Sequence, residues 1–175
     1  MPHQTTTKQK QYNMKEKILA TFSNLGFIMT PTSDEKCYCF SYEGVNMLYL
    51  YNETDEDFLS IAVPGIMEVT DSDRMYALLL TERINNSLKY IKSYLVNDEV
   101  WLFYEHELFS GEDFMNVIPA MIIQLERALQ HSRRLMHAVA EELTDGSDDN
   151  SNSEGDNHSD ADITEDTDSQ NDNEE

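Results

Sequence analysis

The stretch at residues 88–108, LKYIKSYLVNDEVWLFYEHEL, constrains this chain more than any other, because side-chain character alternates along two arms that flank one two-residue turn. Asn97 and Asp98 can make that turn, since both tolerate positive φ better than most residues. The turn fixes a register. Val96 faces Glu99, Leu95 faces Val100, Tyr94 faces Trp101, Ser93 faces Leu102 and Lys92 faces Phe103. One face of this hairpin then carries Ile91, Leu95, Val100 and Leu102, an aliphatic set suited to lie under helices. The other carries Tyr90, Tyr94, Trp101 and Phe103 interleaved with Lys92, Glu99 and Glu105, an amphipathic mixture of the kind interaction surfaces use.

A second hairpin is read at residues 36–42 and 45–51, joined at Glu43-Gly44. Cys37 and Cys39 line up there with Leu48 and Leu50, whereas Tyr38, Phe40 and Tyr42 line up with Val45, Met47 and Tyr49, so an aromatic face recurs. Another strand at 58–63 stops at Pro64-Gly65. Three helices complete the reading. Ile18, Leu19, Phe22 and Leu25 mark the first, which ends at Gly26. Asp71 or Ser72 caps the second, with Asp73 in its first turn, and it closes at Asn85-Asn86. Ser110 with Asp113 three residues on opens the third, whose apolar period runs from Phe114 to Leu143. A helix of about 30 residues is on the order of 45 Å long, more than a small sheet needs for cover, so its distal half is expected to project or to meet a second subunit.

Charge and hydropathy divide the chain. Residues 144–175 hold 13 Asp or Glu, no Lys or Arg, and Ile163 as the single aliphatic residue larger than Ala. Such a segment buries too little apolar surface to offset its ordering entropy and is expected to be disordered. The expected organisation is a flexible N-terminus at 1–11, one α+β domain at 12–143 and the acidic tail. Of the formal net charge of −22 the tail supplies −13, which leaves −9 for the rest. A sequence-independent grip on nucleic acid needs clustered Lys and Arg, and so does an anionic membrane surface, so neither partner is expected, while a basic protein partner fits. Met1 to Lys17 has no apolar run and no run of ~18 apolar residues occurs anywhere, so the expected location is the cytoplasm. Cys37 and Cys39, two apart on one strand, are read as reduced thiols because bridged cysteines need converging Cβ vectors.

The order helix, three strands, helix, two strands, long helix resembles the YbjN-type domain, a family labelled bacterial sensory transduction regulators, and through it the fold of class I type III secretion chaperones. The residues that carry the resemblance are Gly26 followed by an extended stretch, INNSLKYIKSYLVNDEVWLFYEHEL with Asn at the helix-to-strand junction, and the acidic LFSGEDF run into the last helix. The resemblance covers about residues 12–143. It implies an antiparallel sheet with three helices, and a use, known among type III chaperones, of dimers and of sheet or helix patches to hold an extended client segment.

No catalytic signature is present. There is no Gly-rich phosphate loop, no G-x-S-x-G elbow and no H-E-x-x-H. Alternation sends His106 to the opposite face from Glu105 and Glu107, and His131 and His137 are six apart on a helix, so no metal site or cofactor is expected. The tail lacks the register of a calcium loop. The expected function is therefore non-enzymatic: a chaperone-like or adaptor module, a homodimer, holding a protein partner. Its candidate partner-binding residues are Tyr38, Phe40, Met47 and Tyr49 on one hairpin and Tyr94, Trp101 and Phe103 on the other. Helices on both sides of the sheet would make these residues core, and an uncovered face would make them a binding site. The alternative is a regulatory module acting through its own association state. Arg127, Arg133 and Arg134, with His131 and His137, form the main basic concentration. Cations favour the C-terminal half of a helix, and the same cluster could receive the acidic tail or an acidic segment of a partner.

Overall fold

The computed structural model describes residues 13–148. The expected loose N-terminus, and the tail beyond residue 148, lie outside the described residues. The elements are α1 (Met14–Asn24), β1 (Thr30–Pro31), β2 (Cys37–Tyr42), β3 (Val45–Leu50), β4 (Phe58–Glu68), α2 (Arg74–Ser87), β5 (Ile91–Val96), β6 (Glu99–Glu107) and α3 (Phe114–Asp148). The strands form one antiparallel sheet in the order β1-β2-β3-β4-β6-β5.

Local chemistry sets the element ends. Asn13 caps α1 by accepting the Glu16 N–H at 2.8 Å. At the other end the Phe27 N–H reaches the Phe22 carbonyl and the Gly26 N–H reaches that of Ser23, both at 3.0 Å, while the Phe22 and Phe27 rings meet edge to face. This is a Schellman closure with its hydrophobic contact. Both hairpins adopt the expected registers, from Tyr42↔Val45 to Cys37↔Leu50 and from Val96↔Glu99 to Lys92↔Phe103. Glu43 and Gly44 both have positive φ, as a two-residue hairpin turn wants, and in the second turn Asn97 takes that role at 54°.

Four expectations need correction. A short strand, β1, precedes the first hairpin. Pro64-Gly65 does not end β4: the strand continues to Glu68 through an irregularity between Val63 and Met67, and Pro64 is tolerated because the ladder is already broken there. Gly65 has φ of 58°, and a Cβ on it would sit 3.3 Å from the Glu99 carboxylate, so both conformation and space favour glycine. The caps also differ: Asp73 stands at the N-cap position of α2 with its carboxylate on the Thr70 hydroxyl, and Asp113, not Ser110, caps α3 by accepting the Met115 N–H at 3.0 Å. Finally, the distal half of α3 does not project alone. The Tyr76 hydroxyl donates to the Met136 carbonyl at 2.7 Å, Arg83 makes two 3.0 Å bonds to the Glu142 carboxylate, and Val139 is buried. Helix α2 therefore lies along this half, which removes the need for a second subunit to cover it.

The main core joins Ile18 and Phe22 of α1, Leu80 and Ile84 of α2, and Ile118, Met121, Ile122, Leu125 and Leu129 of α3 to Phe40, Met47, Tyr49, Leu59, Ile61, Val63, Ile91 and Leu102 of the sheet. A smaller group sets Ala77 of α2 against Val69 and Val100. The sheet residues in both groups share one side. All three helices thus pack on the same face, and the molecule has two layers.

Candidate functional site

Register determines what the other face carries. Across the central strands Leu48 pairs with Ala62 and Ala62 with Phe103, while Tyr49 pairs with Ile61 and Ile61 with Tyr104. Residues in paired positions share a side. The side that holds Tyr49, Ile61 and Tyr104 meets the helices, so the opposite side holds Cys37, Cys39, Leu48, Leu50, Ser60, Ala62, Phe103, Trp101 and Tyr94. None of these belongs to either core group.

The centre of this open face is an aromatic stack. The Tyr94 and Phe103 rings lie 4.3 Å apart and 4° from parallel, and Trp101 stacks on Phe103 at 5.9 Å and 20°. Phe103 is only 4% exposed although no described helix covers it; Tyr94 lies across it. Small residues, Ser60 and Ala62, lie beside the stack on β4 and give way to Leu48 and Leu50 on β3. Some of the charged groups here have side-chain partners. Lys92 bonds Glu105, and the Trp101 indole N–H donates to Glu99 at 2.8 Å. The Glu105 hydrogen bond raises the Lys92 ammonium above its ordinary value, and burial, followed by the charge of Glu105, raises the Tyr94 phenol. At neutral pH the face thus offers a neutral phenol and a charged but partnered lysine. Such a surface can dock apolar groups against its aromatic centre.

The seven candidate residues do not form one patch. Tyr94, Trp101 and Phe103 come together on the open face, whereas Phe40, Met47 and Tyr49 are at most 2% exposed in the core. Tyr38 is half-buried beside them, stacked on Tyr49 at 6.1 Å with the Lys15 ammonium 5.2 Å from its ring centre. The reason is register: each hairpin alternates correctly, but β4 joins them with their aromatic sides reversed. Tyr90 departs too, since its ring stacks on core-side Tyr104. The residues on the non-aromatic side of the first hairpin, Cys37, Cys39, Leu48 and Leu50, belong to the open face. Their signal was the size pattern of β4, with Leu59, Ile61 and Val63 on one parity and Ser60 and Ala62 on the other.

The arginine cluster also divides. Arg127 and Arg134, with His131 between them, line a groove against Leu88, Lys89 and Tyr90, whereas Arg133 faces Pro64 and Gly65 on the other flank of α3. Other polar groups bond within the fold. His106 Nε2 lies 3.0 Å from the Glu112 carboxylate, which also accepts the Phe109 N–H and is thereby held below the usual carboxylate range. Burial and then the charge of Asp34 push the Cys37 thiol up, away from a reactive thiolate. Among the described residues no three His, Cys, Asp or Glu side chains converge as a metal site requires, and no helix is long and apolar enough to cross a membrane.

What fold and face define is a two-layer α+β protein whose sheet presents an apolar, aromatic side. No protein-family model and no curated protein sequence matches the chain. Among solved structures it is similar to YbjN from E. coli, at a TM-score of 0.53 and 11% identity over 69% of this chain and 91% of that one. It is also similar to an uncharacterized protein from Methanothermobacter thermautotrophicus, at 0.52 and 15% over 71% and 97%. The ExsC-ExsE complex is a looser match at 0.48 and 13% over 69% and 91%. The expected YbjN-type fold is the fold of this chain.

Proposed function

We propose that this chain is a non-enzymatic protein-binding module that holds a segment of a partner polypeptide on the open face of its sheet. The observation that carries the reading is the stacked Tyr94, Phe103 and Trp101 set, continuous with Leu48, Leu50 and Ala62 and, among the described residues, free of helix cover. The patch is partly exposed, with Tyr94 outermost and Phe103 and Ala62 buried beneath; apolar patches on a surface mark interaction sites, and aromatic residues dominate their energetics.

Recognition works through side chains on the face rather than by strand addition. One edge of the sheet is the two-residue β1, which contains Pro31. At the other edge, Asn85 covers the middle of β5: its Nδ2 donates to the Ser93 carbonyl at 2.9 Å and its Oδ1 accepts the Ser93 N–H at 2.7 Å. Both edges are thus protected against an added strand.

The test compares wild-type protein with Tyr94→Ala and Trp101→Ala as baits in extract from the native cell. The reading expects a stoichiometric partner that both variants lose while keeping wild-type circular dichroism. A partner retained by both variants would move the site off the face. Sedimentation of the free protein separates out self-association: a dimer abolished by the same substitutions would favour the regulatory alternative, with a second copy as occupant.

A further inference from the structure

The groove between α3 and the turn from α2 to β5 is the second feature that points outward. Lys89, Arg127, His131 and Arg134 line it, with Tyr90 at its rim, and it encloses about 360 Å³. The chain turns there through Tyr90, a non-glycine residue with φ of 66° whose ring is 74% exposed. Ser87 and His131 tie the two walls, with Oγ and Nε2 3.0 Å apart. The described ion pairs include none of Lys89, Arg127 and Arg134. That is unusual company in a chain with 34 acidic and 12 basic residues. The C-terminal position of these cations on α3 explains their tolerance, but not their convergence with Lys89 from another element.

We infer that this groove is the docking site for the chain's own acidic segment, residues 149–175. That segment carries 11 Asp or Glu and no Lys or Arg. It is attached to the helix that forms one wall. Asp148 is 14 residues beyond Arg134 on α3, on the order of 21 Å at 1.5 Å per residue. An extended chain of that length spans roughly 90 Å, at 3.3–3.6 Å per residue, so it returns to the groove with length to spare. Tethering raises the effective concentration into the range of roughly millimolar, at which a weak ionic contact is populated. The groove lies on the helical side, so this contact is independent of the proposed binding face.

The test uses the full-length protein and a water-soluble carbodiimide, which joins carboxylates to lysine amines only when they are in ionic contact. Lys89 is expected to be the lysine linked most strongly to peptides from residues 149–175, with links formed within one molecule when ¹⁴N and ¹⁵N chains are mixed. Arg127→Gln with Arg134→Gln, folded by circular dichroism, should lower that yield about threefold to tenfold, the effect of losing two exposed ion pairs. Moderately high salt should do the same. Links spread evenly over all lysines, links only between molecules, or a yield unchanged in the double variant would each overturn the inference.

Discussion

At the scale of the residue, the two aromatic sets separate by what their removal costs. Phe40 touches Phe22 and Phe27 at ring distances of 5.0 and 5.3 Å inside the core, so Phe40→Ala should cost about 3–5 kcal/mol, as a large buried truncation does. Trp101→Ala removes one stacking partner on the open face and should cost only about 0.5–1.5 kcal/mol. Urea unfolding of the two variants checks this; equal losses would mean that the open face is structural. Glu112 gives a pH signature. The Phe109 N–H, and then His106, depress its carboxyl, so its contribution is complete at neutral pH and is lost as pH falls below the ordinary carboxylate range through the lowered value. The stability gap between wild type and Glu112→Gln should therefore shrink on acidification, read from unfolding curves between neutral and acid pH. The hairpin registers were legible residue by residue, because turn chemistry and period-two alternation are local. Whether an aromatic side faced helices was not: Tyr49 and Phe103 look alike until Tyr49↔Ile61 and Ala62↔Phe103 put them on opposite sides.

At the scale of the element, helix α2 holds both a strand and a helix. Its Asn85 acts on β5 as a missing neighbour would, bonding both main-chain groups of Ser93, and Asn85→Ala strands two partly buried groups at the sheet edge. The loss should be about 1–3 kcal/mol, from two hydrogen bonds of roughly 0.5–1.5 kcal/mol each, with faster amide exchange at Ser93 as the site-specific readout. An unchanged exchange rate there would show that the edge is protected by packing alone. The junction asparagines were visible in the sequence, but this role required the fold. The length of α3 was legible from its apolar period as far as Leu143. Its company was not, because Tyr76 and Arg83 reach it across about 60 residues of chain through a hydroxyl and a guanidinium that periodicity does not register.

At the scale of the whole molecule, strand β4 decides the architecture. It pairs with β3 on one side and β6 on the other, and so converts two local hairpins into one sheet with a helical side and an open side. Element order and fold class were legible because eight of the nine elements, all but β1, carry periodicity or turn signals, and the likeness to YbjN is of that same kind. The open face was legible only in part: Tyr94, Trp101 and Phe103 were recognisable, while Leu48 and Leu50 were masked by an alternation that suited a core equally well. The Asn85 carboxamide has a wider consequence. It occupies one of the two edges where a sheet of this kind could grow, and without it the outer main-chain groups of Ser93 on β5 would be free to pair with an added strand. One carboxamide thus stands between a closed sheet edge and one open to a further strand.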